Sequence, residues 1–277
     1  MQEPRPGLGS FLDFSLARFA LNDVVRHYPV IRTLAAPLFL AVLVCIHLTA
    51  YGAASIAVTP LAIDADPPYL GVLIVIVLVA GVLWGALAVA WHRFFLLGEK
   101  PGWRSVLPGF AALGYFLTAI GLIAAGIGVG FFVSVLGDVA AALSGLPFVA
   151  ALVWPVAVVA GAYVALRMSP VLPGVALDYS WRSFRNGWSV TRPYVGGIFG
   201  WSVVLAALML AARLAIKALL FVVPLDVYGT NFVFLGLSFA ATFFLGLASL
   251  TVITAVFHAA YDGVLFGTDS GEEANGR

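Results

Sequence analysis

Charge is what this 277-residue chain has least of: only 10% of residues are Asp, Glu, Lys or Arg, where a water-soluble domain carries about 25%. The formal net charge is +1, which argues against the basic face of a nucleic-acid binder. Cys45 is the single cysteine, so a disulfide framework and a thiolate-only metal site are both excluded. There is no GxxxxGK[ST] loop, GxSxG elbow, GxGxxG string or HExxH helix, and the GIGVG of residues 126–130 falls inside an apolar run where it packs rather than cradles phosphate. The carboxylate pair Asp64 and Asp66 sits in a short polar loop without a predicted cleft. An enzyme is not expected, and neither is a cofactor or a metal.

What remains is apolar. Hydrophobic residues make up 62% and the mean hydropathy is +1.07, more oily surface than a soluble globule of this size can hide, so a bilayer must solvate it. A helix needs about 20 mainly apolar residues to cross a ~30 Å hydrocarbon core. Six stretches qualify: 34–58, 69–97, 109–136, 147–166, 195–222 and 231–260. Apolar–polar alternation is missing, which speaks against a membrane β-barrel. The expected fold is an all-α polytopic membrane helix bundle of about six spans plus interfacial amphipathic helices. Its expected organisation is an interfacial segment 1–33, a spanning domain 34–265 and a short tail 266–277.

Lys and Arg are retained on the cytoplasmic side of a membrane. Arg5, Arg18, Arg26, Arg32, Arg93, Lys100, Arg104, Arg167, Arg182, Arg185, Arg192 and Arg277 all fall on one face of this plan, 12 of the 14 basic residues. The opposite loops hold Asp64, Asp66, Asp138 and Asp226. Both termini are therefore expected in the cytoplasm. Residues 1–33 lack the short apolar core and small-residue cleavage site of a secretory signal, so the first span is expected to be retained. Arg213 and Lys217 break the charge pattern. Arg213 lies about 27 Å along the fifth span, near the far interface, where the pair either snorkels to phosphates, binds an anionic headgroup, or pairs with Asp226 or Asp138.

Three basic segments carry aromatics at helical spacing. Residues 11–33 interleave Phe11, Leu12, Phe14, Leu16 and Phe19 with Arg18, Asp23 and Arg26, the signature of a helix lying in the membrane surface. Residues 178–192 place Trp181, Phe184 and Trp188 opposite Arg182, Arg185 and Arg192, and residues 92–105 repeat the pattern weakly. Each precedes a hairpin of two spans, roughly 80 residues apart, which either internal duplication or the charge rule alone explains. Small residues four apart (Gly81 and Gly85; Gly126 and Gly130; Ala157, Gly161 and Ala165; Gly196 and Gly200) supply close-packing faces for a bundle or a homo-oligomer. Pro155 is expected to kink the fourth span, with the kink absorbed by packing; a small cavity beside the glycine-rich third is the alternative.

Few polar residues enter the spans. His47, Thr242, Ser249, Thr251 and Thr254 are expected to bond to neighbouring helices or back to their own, and His92 with His258 suggests an interfacial cluster. No acidic residue occupies the middle of a span, so a proton or sodium relay lacks a carrier.

The stretch RMSPVLPGVALDYSWRSFRNGWSVTR from Arg167 to Arg192 resembles the segment that marks the membrane domain accompanying some glycerophosphoryl diester phosphodiesterases, shared by many bacterial six-helix membrane proteins. Arg167, Pro173, Asp178, Trp181 and Thr191–Arg192 correspond to its pattern, while AVAWHRFFLLGEKP at 88–101 and AVFHAAYDGVL at 255–265 resemble span ends in such proteins. Pro193 stands where a glycine is usual, and the soluble phosphodiesterase barrel is absent, so hydrolase activity does not carry over. The resemblance implies a bacterial inner-membrane protein with a short re-entering or surface-lying element between spans four and five. A non-enzymatic protein that organises lipid or partner proteins at the cytoplasmic face is the expected function, with Trp181, Arg182, Arg185, Trp188, Arg192, Arg213 and Lys217 as candidate contacts to membrane lipid. A small transporter-like subunit is the alternative.

Overall fold

The computed structural model of the chain describes residues 14–58, 70–100, 109–177, 184–223 and 225–265. Nine α-helices, and no strand, occur among the described residues: α1 (Ser15–Arg26), α2 (Tyr28–Val58), α3 (Leu70–Leu97), α4 (Phe110–Ser144), α5 (Pro147–Met168), α6 (Val171–Ala176), α7 (Phe184–Val190), α8 (Val195–Val222) and α9 (Val227–Leu265), with a 3-10 turn at Arg192–Tyr194. Five stretches are long and apolar enough to cross a membrane: Ile74–Leu97, Phe110–Ser144, Ala151–Met168, Arg192–Val222 and Tyr228–Ala259. The described part of α2 adds a shorter apolar run, Leu38–Ala50. The molecule is an all-α bundle of the multi-pass membrane type.

The helices run past the lipid-matched stretches that hydropathy picks out. The third reaches Ser144 rather than residue 136, and the last begins at Val227 rather than 231. Asp138 consequently lies within α4, exposed, and not in a loop as the charge pattern suggested. Hydropathy marks where lipid is expected, whereas a helix ends where its backbone is capped. Gly145, at φ 65°, adopts the left-handed conformation that closes α4, and its N–H bonds the Ala141 carbonyl. Pro147 then opens α5, at a position where its missing N–H costs nothing. Asp226 caps α9 by accepting from the Gly229 N–H at 2.7 Å.

The six long helices contact one another in a closed circuit, α2–α3–α4–α5–α8–α9 and back to α2. Glycines set the tightest step. A Cβ on Gly126 would lie 2.9 Å from the Gly161 carbonyl oxygen, one on Gly161 would lie 2.5 Å from the Gly126 oxygen, and one on Gly130 would lie 3.1 Å from the Ala157 oxygen. The expected small-residue faces thus meet, α4 against α5, backbone to backbone. Gly85 does the same for α3 against the Ala112 carbonyl, and Gly81 leaves room for the Phe116 ring. On α8 the working glycine is Gly197, which receives Leu16 of α1.

At the end where α3, α5 and α9 finish, the short α6 is buried along its whole length among α3, α4 and α9. The amphipathic segment of residues 11–33 breaks at His27, which separates α1 from α2. Its protein-facing stripe is Ala17, Ala20 and Val24, against α8 and α9. Phe14 and Phe19 stay exposed on the other side. Alanine lets α1 approach the bundle closely, and the bulky rings are left for the surroundings.

Candidate functional site

The strongest departure from an oily bundle is Arg167, in the last turn of α5, with 6% of its surface exposed. Its Nε donates to Thr191 Oγ1 at 2.7 Å, Nη1 to the Tyr163 hydroxyl at 2.9 Å, and Nη2 to the Trp188 carbonyl at 2.8 Å. The guanidinium carbon lies 4.2 Å from the Trp188 ring centroid and 5.7 Å from that of Tyr163. Among the described residues no carboxylate pairs with it; oriented dipoles and π faces stabilise the charge instead. The Thr191 hydroxyl, itself buried, sits 3.0 Å from the carbonyl oxygens of Arg167, Gly187 and Trp188. Gly187 makes this closure possible, since a Cβ there would lie 2.6 Å from the Met168 carbonyl. Arg167 and Thr191 therefore staple α7 onto the end of α5.

Beyond this staple lies a half-open groove of about 580 Å³ between α5 and α8. Pro155, Val156, Val159, Ala160 and Tyr163 form one wall, and Val195, Phe199 and Val203 the other. Beside Pro155 the structure has a groove rather than the kink absorbed by packing that the sequence favoured, and it opens against α8 and not the glycine-rich α4, whose glycines bring the two backbones into contact. From Pro155 to Tyr163 and from Val195 to Val203 each wall covers eight helical rises, a length of about 12 Å. Tyr163 belongs to both features: it lines the groove and accepts from Arg167. Among the described residues its own hydroxyl hydrogen finds no acceptor, so a donor remains at the groove's polar end.

Of the sequence-predicted contacts, Arg185 and Arg192 are exposed at this end. Trp188 is partly exposed and stacked on Arg167, so its ring faces protein as well as surroundings. Trp181 and Arg182 lie outside the described residues. Arg213 and Lys217 are exposed on the far half of α8, where Arg213 packs 5.4 Å over the Trp154 ring. Among the described residues neither makes an ion pair with Asp226 or Asp138, and Asp226 is held as the α9 cap. Tyr163, Phe199 and Val203 were not singled out by sequence, because apolar residues in an apolar span look alike until the neighbouring helix is placed.

Most of the remaining polar groups are tied up locally; among the described residues the buried Trp91 Nε1 and Asp23 Oδ2 find no partner. His92 is fully buried, with Nδ1 2.8 Å from Thr254 Oγ1 and Nε2 3.0 Å from the Tyr115 hydroxyl. Thr254 gives its own proton to the Leu250 carbonyl at 2.7 Å. It can then only accept from His92, which places the imidazole proton on Nδ1 and leaves Nε2 to accept from Tyr115. His92 thus takes its partners from Tyr115 and Thr254, while His258 is exposed. Ser249 and Thr251 bond back to their own helix as expected, and His47 reaches the Tyr228 hydroxyl at 2.8 Å. Outside the spans, the Arg93 guanidinium holds Glu99 below the usual carboxylate range, and burial raises Asp23. Among the described residues no three His, Cys, Asp or Glu side chains cluster as a metal site.

No protein-family model matches the chain, and neither a curated protein nor a solved structure matches it.

Proposed function

We propose that this protein is a non-enzymatic integral membrane protein of the bacterial inner membrane that binds and organises anionic phospholipid at its arginine-rich, cytoplasmic end. The observation that carries the reading is the groove between α5 and α8. Its walls are apolar from Pro155 to Tyr163 and from Val195 to Val203, and it terminates against cations and aromatic rings. Its ~12 Å length approaches the half-thickness of a ~30 Å hydrocarbon core, so one acyl chain of a lipid in the nearer leaflet fits along it. The Tyr163 hydroxyl then meets the ester region, and Arg185 and Arg192 stand at headgroup level, each adding about 1 kcal/mol of attraction to an anionic surface. Arg167 is bonded internally and acts by positioning α7 and Tyr163.

A solute-conducting subunit also predicts a cavity reaching Pro155. The apolar lining favours a hydrocarbon chain over a hydrated solute, which would leave polar groups unpaired there. The test is native mass spectrometry of the full chain purified from vesicles of phosphatidylcholine doped with phosphatidylglycerol. Filling the groove with Ala160→Phe, or removing charge with Arg185→Gln/Arg192→Gln, should lower phosphatidylglycerol retention several-fold while the melting midpoint stays put. Unchanged retention in both variants would refute the reading.

A further inference from the structure

We infer that α8 and α5 carry a second phospholipid site in the opposite leaflet, built from Arg213, Lys217 and Trp154 and independent of the groove. Counting from Val195, Arg213 lies about 27 Å and Lys217 about 33 Å along α8, on either side of the depth at which a ~30 Å hydrocarbon core ends. Both are exposed while Ile216, between them, is buried. The two cations therefore share the outward side of one helical turn, and neither points into the bundle.

A cation at that depth needs a counter-charge. Among the described residues protein supplies none within ion-pair distance: Asp226 caps the Gly229 N–H, and neither it nor Asp138 pairs with Arg213 or Lys217. The Trp154 ring supplies one face of a binding site instead, with the Arg213 guanidinium carbon 5.4 Å from its centroid. Stacking on one face leaves the N–H edges of the guanidinium free, and these are the donors that grip a phosphodiester in two-point fashion. Lys217, one turn nearer the water, adds a mobile ammonium for the remaining phosphate oxygen or a second anionic group. The ligand class is a glycerophospholipid phosphodiester, with anionic headgroups preferred.

The experiment counts phosphatidylglycerol molecules that stay bound to the full chain in native mass spectrometry, with wild type expected to retain one more than Arg213→Gln/Lys217→Gln. Each lost cation should weaken that site about fivefold, and the pair about 30-fold. Arg185→Gln/Arg192→Gln should leave this lipid in place and affect only the groove, so failure of one reading is distinguishable from failure of the other. Arg213→Lys preserves the charge but loses the planar fork that stacks on Trp154, so it should still lower retention, though less than Arg213→Gln; wild-type retention in Arg213→Lys overturns the two-point grip. An unchanged lipid count in the double Gln variant overturns it, as does displacement of the lipid by inorganic phosphate at equal concentration.

Discussion

Replacing Gly161 with alanine is a one-carbon perturbation whose cost follows from backbone geometry. The new Cβ would lie 2.5 Å from the Gly126 carbonyl oxygen, about 0.9 Å closer than ordinary van der Waals contact begins. Both partners are fixed backbone, so no side-chain rotation relieves the clash and α4 must move off α5. Parting the helices also loosens the reciprocal approach of Gly126 to Gly161 and of Gly130 to Ala157. In a bilayer this close packing holds helices together, because lipid tails are as apolar as the surfaces they would replace. Overpacking of this kind costs about 1–3 kcal/mol. Gly128 is the internal control: it lies on the facing helix α4, between Gly126 and Gly130, exposed, with nothing within 4 Å of its Cβ position. Alanine there should be neutral or gain up to ~1 kcal/mol from helix propensity. With 2–4 °C per kcal/mol for a chain of this size, the Gly161→Ala midpoint should fall about 2–16 °C below that of Gly128→Ala. Heating aliquots in detergent and scoring the folded monomer by fluorescence-detected gel filtration measures this directly. Midpoints within about 2 °C of each other would refute the packing argument.

Two further perturbations probe the arginine-rich end. Arg167→Met deletes three hydrogen bonds and a stacked cation, but also relieves a buried charge of its desolvation, so the expected loss is about 1–3 kcal/mol. Arg167→Lys keeps the charge without the planar fork that reaches Thr191 and Trp188 together, and should be the less stable of the two; a lysine variant melting at or above the methionine variant would contradict the staple. Burial holds the Asp23 carboxyl above its ordinary 3.8, so the folded chain keeps that proton to higher pH than the unfolded one. Its contribution is fully present below 3.8 and is lost as pH rises through the elevated folded value. Asp23→Asn should flatten that decline in a melting series between about pH 3 and 7; an unaltered slope would remove Asp23 as its source.

Lipid-crossing helices were legible from runs such as LGVLIVIVLVAGVLWGALAVAW, because a bilayer imposes one length and one polarity on whatever spans it. The glycine pairs were legible as spacing, although only the three-dimensional arrangement distinguishes Gly126, pressed on Gly161, from Gly128, facing outward. Pairing with Asp226 was one of the alternatives open for Arg213 and Lys217; the carboxylate instead caps α9 through the Gly229 N–H, a local bond within three residues that charge counting does not anticipate. The groove was illegible for a different reason. Val159, Val195 and Val203 are indistinguishable by type from residues pressed against a neighbour, and a void is a property of two helices and not of either sequence. The staple left a partial trace, since Arg167 and Thr191 stand 24 residues apart in a segment already notable for its arginines and tryptophans, but no local rule joins them across α6.

Arginine does three different things here, and the differences bear on lipid against solute. Arg185 and Arg192 are exposed and unspecific in geometry, as suits an anionic surface. Arg167 is buried, with each of its three nitrogens bonded, to the Thr191 hydroxyl, the Tyr163 hydroxyl and the Trp188 carbonyl, so its role is to hold α7 in place. Arg213 lies between these extremes, stacked on one ring with its edges open. A path for a hydrated solute needs polar groups left available along the bundle interior, and most of the interior polar groups described here are spent on each other: His92 on Tyr115 and Thr254, the Trp201 indole on Ser249, Thr251 and Thr254 on their own helix; the buried Trp91 Nε1 and Asp23 Oδ2 are the exceptions among the described residues. Exposed cations stand at both ends of the seam between α5 and α8, with an apolar groove between, and it is this distribution on which the phospholipid proposal rests, since a solute that must stay solvated would leave polar groups unpaired in that groove.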